Sequence, residues 1–321
     1  MTTIQFQLRQ ATHSDLPAIA ALISEGLSFD GLTIVQTAEE LEEDWGGPYC
    51  FLDQDVVVAE HESHIIGVGY TYFLPSETKE ERCYALGTVK PAYRRKGVGT
   101  EIQQWTTTRA EKLLRSTNRT IPKFLRSDVS TSNTSADFLF KKFNMRPVRW
   151  NEDLIIDLNQ SPEVFVSPGY CVIPWDTSRD EEARVVKNLA FMDHWGSTPT
   201  SEEGWEQLVH GSTAKLDQSF FALDSNNNIV GLLLSHRYES DDEILGKRIG
   251  WIDKLATLSE HRGKAIGRSL ITHALAAYRR DGLTHAALDV DTENPTGAYG
   301  LYTAVGFSTF RGSVTYERIV Q

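Results

Sequence analysis

The sequence has few cysteines and no long hydrophobic run. Its 321 residues include only Cys50, Cys83 and Cys171, whose odd number and wide spacing argue against a disulfide framework or a cysteine metal site. No apolar run approaches ~18 residues, so no membrane-spanning helix is expected. The first residues lack the charged and apolar regions of a signal peptide. We therefore expect buried, reduced cysteines and a cytoplasmic location.

Positive charge is also scarce. Lysine and arginine total 32 against 44 aspartates and glutamates, which gives a formal net charge of −12. Nucleic acids and anionic membranes need a basic face, so neither partner is expected. An acidic balance suits a cationic substrate, although it is also common in soluble proteins. No residues cluster as metal ligands, and we expect a monomer or a weak homodimer without a metal.

The chain contains two similar glycine-containing turns, Arg94–Gly99 and Arg262–Gly267. Each follows a strand-like run and precedes an amphipathic helix. This arrangement directs several backbone N–H groups and the positive end of a helix dipole to one point, which favours phosphate or pyrophosphate. Two such turns indicate two nucleotide- or coenzyme-binding segments.

Other segments recur in the same order and indicate a duplication. The pairs are 86–91 with 255–260, 128–133 with 289–294, and 140–145 with 302–307. Repeats this far apart are domain-sized copies, not a short-period solenoid. We predict domains at 1–158 and 168–321, joined by a linker with turn-forming prolines and a glycine. Within each copy, runs of strands without strict βα alternation predict a mixed α/β fold.

The turns resemble the Arg/Gln-x-x-Gly-x-Gly/Ala motif of the GNAT acyltransferase superfamily. The second copy also matches the pattern that follows it, through Asn294, Ala298, Tyr302, Gly306 and Phe307. The resemblance covers essentially the whole chain as two tandem GNAT-like domains, a layout similar to mycothiol synthase and related two-domain acetyltransferases. It implies a mainly antiparallel twisted sheet flanked by helices in each domain, with acetyl-CoA or coenzyme A as the cofactor.

The resemblance also implies which residues bind the coenzyme. In the first copy they are Val89, Arg94, Arg95, Lys96, Gly97, Val98, Gly99 and Thr100. In the second they are Leu255, Ala256, Thr257, Arg262, Gly263, Lys264, Ala265, Ile266, Gly267, Arg268 and Asn294. Ala265 stands where the first copy has Gly97, and its methyl group restricts both backbone conformation and close approach. We therefore expect tighter binding at the first turn.

Tyr302 is the candidate general acid. The resemblance places a tyrosine here near the coenzyme sulfur, where it would protonate the departing thiolate. A core aromatic on an amphipathic helix is the alternative. The first copy has Phe140 at this position, which has no proton to give.

Asp253 is the candidate general base. We expect it to alternate with Trp251 and Leu255 on one strand face, and Ala85 matches it in the first copy. A carboxylate there could accept a proton from an ammonium, directly or through water, or simply pair with a neighbouring cation such as Lys254. Asp289 and Asp291 are alternatives that are better suited to capping the next turn. Trp251 stands where mycothiol synthase is expected to have a glutamate.

The segment after the first helix of the second copy is the candidate acceptor pocket. Asp193, His194 and Trp195, together with Trp205, offer charge and apolar surface for an amine. A packed interhelical loop is the alternative, and no neighbouring ligands support a metal at His194.

These features predict an N-acetyltransferase whose second domain transfers an acetyl group from acetyl-CoA to a small-molecule primary amine by direct attack. The first domain would bind coenzyme A without turnover or complete the fold. A non-catalytic coenzyme A sensor or scaffold, a protein or peptide N-acetyltransferase, and an enzyme working in the first domain are the alternatives.

Overall fold

The structure, a computed structural model, describes residues 4–32, 34–294 and 297–321. The chain forms two compact units. The first comprises Met1–Trp150 together with Ser313–Gln321, and the second comprises Asn151–Gly312. Among the described residues, no helix combines the length and apolar character needed to cross a bilayer.

Among the described residues, eleven α-helices and strands begin in the first unit, and the last of them, β6, extends into the second. They are β1 (Gln7–Gln10), α1 (Leu16–Phe29), α2 (Ala38–Asp44), α3 (Leu52–Asp55), β2 (Val56–His61), β3 (His64–Leu74), β4 (Glu81–Val89), α4 (Val98–Ser116), β5 (Lys123–Ser130), α5 (Thr134–Lys142) and β6 (Arg146–Asp157). Strands β1 to β4 pair antiparallel in sequence order, and β4 pairs parallel with β5.

The remaining elements begin in the second unit. They are β7 (Cys171–Pro174), α6 (Asp180–Ala190), α7 (Glu202–His210), β8 (Phe220–Leu223), β9 (Ile229–Arg237), α8 (Asp242–Leu245), β10 (Ile249–Thr257), α9 (Ile266–Arg280), β11 (His285–Asp291), α10 (Ala298–Val305) and β12 (Ser308–Ile319). Strands β7 to β10 pair antiparallel, β10 pairs parallel with β11, and β11 pairs antiparallel with β6. The predicted mixed α/β class with a mainly antiparallel sheet is confirmed.

The predicted domains, 1–158 and 168–321, place all of β6 in the first copy and all of β12 in the second. The two compact units divide both strands instead. Residues 151–157 of β6 pair with β11, so they belong to the second unit. Residues 313–319 of β12 pair with β5, so the end of the chain belongs to the first unit. Each copy thus contributes its last strand to the other copy's sheet. Pairing between distant segments leaves no local pattern from which the sequence could have shown this exchange.

The central helix of each unit packs along one face of its sheet. In the second unit, Ile266, Leu270, Ala274 and Tyr278 of α9 are buried in one apolar cluster, as their helical spacing predicts. Gly250 on β10 makes room for this packing, since a Cβ there would lie 2.8 Å from the Tyr278 ring. In the first unit, α4 covers the corresponding face. Each helix begins directly after the glycine-containing turn of its own unit.

Candidate active site

The two turns adopt the same unusual backbone conformation. Arg95 and Gly97 have φ angles of 62° and 96° in the first turn, and Gly263 and Ala265 have φ angles of 75° and 59° in the second. Alternating left-handed residues curl the chain so that successive N–H groups point inward. Helix α4 or α9 begins directly afterwards, and its first N–H groups have no partner within the helix. Both turns thus have the backbone geometry of an anion site.

The arginine that opens the first turn holds the turn in place. Arg94 Nε donates to the Val89 carbonyl at 3.0 Å, and Nη2 donates to the Gly26 carbonyl near the end of α1 at 3.3 Å. The same guanidinium pairs with Asp30 at 2.5 Å. Carbonyl groups at a helix C-terminus carry partial negative charge, which favours this cation. The structure therefore gives the Arg94 side chain a positioning role.

Arg262 repeats these contacts in the second unit. Its Nε donates to the Thr257 carbonyl at 3.2 Å, its Nη2 donates to the Ala190 carbonyl at the end of α6 at 2.7 Å, and Asp193 lies 3.7 Å away. Sequence reasoning assigned both arginines to coenzyme binding. Their guanidinium groups tie each turn to the neighbouring strand and helix, and their contact with a coenzyme stays a prediction.

A cavity of about 530 Å³ adjoins the first turn. It lies within the first unit, and its lining includes the predicted residues Val89, Arg94, Arg95, Gly97, Gly99 and Thr100 as well as Phe140. Of the other predicted residues, Lys96 lies over the Tyr93 ring and Val98 is buried against the sheet. This volume is in the range of small-molecule sites. The cavity extends from the turn to Phe140, the residue that corresponds to Tyr302.

Parallel strands separate beside each turn. The β4–β5 pairing extends from Glu81 to Tyr84, and the β10–β11 pairing extends from Ile249 to Ile252. Leu255, Ala256 and Thr257, which were predicted to contact the coenzyme, lie beyond this point and remain paired to β9 on their other side. The edge of β10 that faces β11 is therefore available to a ligand there. Because Ala256 is buried in the core, only its backbone can contribute.

A β-bulge lies where β10 leaves β11. Ile252 pairs with Ser235 and Lys254 pairs with Leu234, so Asp253 is an extra residue between two consecutive pairs. A bulge breaks the ladder, leaves the extra residue unpaired, and frequently occurs beside an active site. The described register of β3 with β4 runs without such a shift.

This bulge corrects two predictions about Asp253. Thr71 pairs with Ala85 in the first sheet and Ser235 pairs with Ile252 in the second, so Ala85 corresponds to Ile252 and Asp253 has no counterpart. The bulge also interrupts the alternation of side chains. Trp251 pairs with His236 on the face toward α6 and α7, whereas Leu255 packs into the cluster around α9. A period of two could not reveal an inserted residue.

The Asp253 side chain is 26% exposed and lies 2.9 Å from the Lys254 ammonium. Burial raises the pKa of Asp253, but the nearby positive charges, Lys254 first, outweigh burial and hold this pKa below its usual value. A carboxylate in this state is ionised at neutral pH and accepts protons weakly. The geometry suits a group that attracts an ammonium ion or orients a water molecule.

Lys187 and His236 also act electrostatically on Asp253, and sequence reasoning missed both residues. The signal for Lys187 was a charged residue on the apolar face of α6.

Tyr302 on α10 is only 8% exposed. Burial, together with the Asp289 carboxylate, raises its pKa, so the phenol keeps its proton at neutral pH. Its carbonyl accepts from Phe307 N–H at 3.1 Å, as the Phe140 carbonyl accepts from Met145 N–H at 3.0 Å. The two aromatic residues therefore occupy the same place in their units.

The predicted acceptor residues do not all lie together. Asp193, His194 and Trp195 follow α6, with Asp193 next to Arg262 and the His194 ring packed 4.3 Å from Phe191. Trp205 is only 3% exposed and packs in the core beneath α6 and α7. The structure thus gives Trp205 a packing role, because its position on α7 faces the sheet.

The turn after β11 also has a local explanation. Asp291 Oδ1 accepts from Glu293 N–H at 2.9 Å, and the Asp291 carbonyl accepts from Asn294 N–H at 3.1 Å. Asp291 therefore caps the turn that carries Asn294, as its position indicated. Asp289 acts on Tyr302 instead.

Comparison with known proteins identifies the family. The model of the Acetyltransferase (GNAT) family matches residues 27–145 and 187–307. A mycothiol acetyltransferase from Thermobispora bispora is 24% identical over 328 residues, spanning 98% of this chain and 100% of the relative. Another from Saccharomonospora viridis is 23% identical and spans 94% of both chains.

Solved structures show the same fold. A GCN5-related N-acetyltransferase from Sphaerobacter thermophilus superposes with a TM-score of 0.77 at 24% identity, covering 99% of this chain and 98% of that one. A tandem GNAT protein from the clavulanic acid biosynthesis pathway has a TM-score of 0.72 at 14% identity, covering 99% of both chains. Since the family model matches more than half of the sequence in two separate segments, the chain belongs to the GNAT family of acetyltransferases.

Proposed function

We propose that the second unit transfers an acetyl group from acetyl-CoA to the primary amine of a small molecule. The observation that carries this proposal is the β-bulge at Asp253, at the point where β10 separates from β11. It leaves strand backbone unpaired beside the anion-binding turn. A backbone N–H near Leu255 would donate to the developing oxyanion, which is typically among the strongest contributions to acyl transfer.

The side chains around the bulge would handle the protons. Asp253 attracts the acceptor ammonium, and a water molecule held by this carboxylate carries away the proton that the amine must lose. The neutral amine nitrogen then forms a bond to the acetyl carbon while the carbon–sulfur bond breaks, and the nitrogen releases its second proton through the same water molecule. Tyr302, which retains its proton because of burial, donates that proton to the departing thiolate and regains one from solvent.

A small-molecule acceptor is supported by the curated relatives, which are named mycothiol acetyltransferases. The amine library of the test below identifies the particular acceptor. In the first unit, Phe140 replaces the proton donor and the corresponding strand has no bulge in its described register. We propose that this unit binds coenzyme A without turning it over, in the cavity beside Gly97.

Replacement of Tyr302 by phenylalanine tests the transfer step. Tyr302→Phe should lower kcat by ~10²–10⁴, the usual contribution of a general acid, with little change in the KM for acetyl-CoA. The measurement is thiol release from acetyl-CoA in the presence of a library of primary amines. Tyr299→Phe is the matched control, since Tyr299 lies on the same helix and its hydroxyl donates to Glu152; its kcat should not change. An unchanged kcat in Tyr302→Phe would remove this site from catalysis.

Coenzyme binding at the two turns needs the whole chain, because β12 completes the first unit. Thr100 and Arg268 hold the same position after the two turns, so Thr100→Glu and Arg268→Glu each place a carboxylate beside one phosphate site. Acidic residues in the first turn of a helix are compatible with its dipole. Calorimetry with coenzyme A should show the tighter site lost in Thr100→Glu. If neither change weakens binding, the turns are not the coenzyme sites.

A further inference from the structure

The segment that precedes β7 is bound to helix α9 by specific hydrogen bonds. The Phe165 N–H donates to Thr272 Oγ1 at 3.0 Å, and the Phe165 carbonyl accepts from Ser269 Oγ at 2.9 Å. Both hydroxyl-bearing residues of α9 are fully buried. Because both backbone polar groups of Phe165 are paired with the helix, the chain is held in one position along it. We call residues 165–170 the strap.

The strap reaches the second turn through Ser167. Ser167 is only 1% exposed, and its Oγ donates to the Lys264 carbonyl at 2.6 Å. Its N–H also donates to Ser269 Oγ, at 3.4 Å. The Lys264 carbonyl and the Ala265 N–H belong to one peptide group and point in opposite directions, since the peptide is planar and trans. A carbonyl held by Ser167 therefore directs the Ala265 N–H away from the strap.

Two aromatic rings of the strap add further contacts with the second turn. Tyr170 Oη and His261 Nδ1 are 3.0 Å apart, and the Lys264 ammonium lies 6.0 Å from the centre of the Tyr170 ring. The Arg268 guanidinium lies 4.9 Å from the centre of the Phe165 ring. The strap thus contacts residues that come before and after the left-handed position of the turn.

The second turn has a conformational cost that makes such support useful. Ala265 is left-handed, with φ 59° and ψ 20°, and alanine adopts this region less readily than glycine because its Cβ crowds the backbone. The Ala265 carbonyl also accepts from Ser269 N–H at 3.0 Å, as the residue before a helix does. A turn that left this conformation would lose that hydrogen bond at the start of α9. Gly97 occupies the same position in the first turn without this cost.

We propose that Ser167 is a positioning residue, whose hydroxyl holds the second turn in its phosphate-binding conformation and compensates for alanine at position 265. This inference rests on the proposed function in taking the second turn as a coenzyme site. Ser167 acts through the Lys264 carbonyl and does not contact the coenzyme. If the turn occupies its binding conformation for only a fraction of the time, the apparent affinity falls by that fraction.

Calorimetry with coenzyme A tests the effect on binding. The parent is the full-length chain carrying Thr100→Glu, in which the second turn is the remaining coenzyme site. Ser167→Ala should raise the Kd by about 2–10-fold, the equivalent of one neutral hydrogen bond. Adding Ala265→Gly to Ser167→Ala should restore the parent affinity, because glycine adopts the left-handed conformation without support.

Ser161→Ala is the matched control for the binding test. Ser161 lies in the same connecting segment, and its hydroxyl donates to the Leu158 carbonyl at 2.8 Å, so its loss should leave the Kd unchanged. A general weakening of the connecting segment would affect both serine variants and would not be reversed by glycine at position 265. Equal losses in the two variants, or no recovery with Ala265→Gly, would overturn the proposal.

Hydrogen exchange of the chain without coenzyme tests the turn itself. In Ser167→Ala, the amide of Ser269 should exchange about 2–10-fold faster, because the turn opens more often. A peptide covering the first turn should exchange as in the parent. Equal exchange of Ser269 in Ser167→Ala and the parent would overturn the proposal. If the Thr100→Glu chain does not bind coenzyme A, the second turn is not a coenzyme site, and the exchange rates alone then decide whether Ser167 holds it.

Discussion

The left-handed residue before each helix gives a test that compares the two units directly. Gly97 has a φ of 96° and Ala265 has a φ of 59° immediately before α4 and α9. A Cβ added at Gly97 would meet no heavy atom within 4 Å. The two single variants Gly97→Ala and Ala265→Gly therefore change the free energy of the backbone conformation. The added Cβ at Gly97 causes no steric clash.

The magnitude follows from two opposing effects. A left-handed conformation costs an L-residue roughly 1–2 kcal/mol, while alanine gains about 0.4–1 kcal/mol over glycine because its unfolded chain has fewer conformations. We expect Gly97→Ala to destabilise by ~1 kcal/mol and Ala265→Gly to stabilise by a similar amount. For units of this size, such changes move Tm by ~2–4 °C in opposite directions.

Differential scanning calorimetry of the full chain measures both shifts. Gly300→Ala is the control: Gly300 lies within α10, where an added Cβ would also meet nothing within 4 Å and the backbone is not left-handed. There the same chemical change should stabilise by ~0.5–1 kcal/mol. If Gly97→Ala raises Tm as Gly300→Ala does, the first turn does not hold a left-handed residue, and the anion-site geometry would be refuted.

Two further predictions concern single side chains. Arg9 donates hydrogen bonds to Asp15 and lowers the pKa of Asp15 from 3.8 to about 2; this contribution to stability should be complete above pH 4 and lost as the pH falls toward 2, and urea titrations of Asp15→Asn should lack that part of the pH dependence. Cys171 is exposed, contrary to the burial expected for all three cysteines, and it should react rapidly with a disulfide reagent. Burial raises the pKa of Cys50 and Cys83, so these two thiols should react only after unfolding. Three equal rates would contradict their burial.

Local sequence signals were sufficient for much of the fold. Helix α9 follows the spacing of Ile266, Leu270 and Tyr278, and the first hairpin turns at Glu62 and Ser63, both of which are left-handed. These features depend on residues that are close in the chain, so periodicity and turn chemistry can reveal them. The correspondence of Phe140 with Tyr302 could also be predicted, because the two residues begin the similar segments 140–145 and 302–307.

Burial of particular side chains was harder to predict. Trp205 is a residue type expected in the wall of a binding pocket, but its position on α7 directs its side chain into the core. Arg94 and Arg262 stand in a phosphate-binding motif, yet their guanidinium groups hold helix ends. Residue type specifies what a side chain can do, and neighbours from distant segments decide what it does.

Spacing along the sequence was enough to predict the duplication, the two turns, the α/β class and the position of Tyr302, the proposed proton donor. Only the tertiary structure shows that β6 and β12 complete the opposite sheets and that Asp253 is a bulge residue with no counterpart. The physical reason is that strand pairing is made by backbone hydrogen bonds between segments far apart in the chain. The register of a strand pair can therefore shift by one residue, or a strand can pair with a different neighbour, without any change in the local sequence pattern.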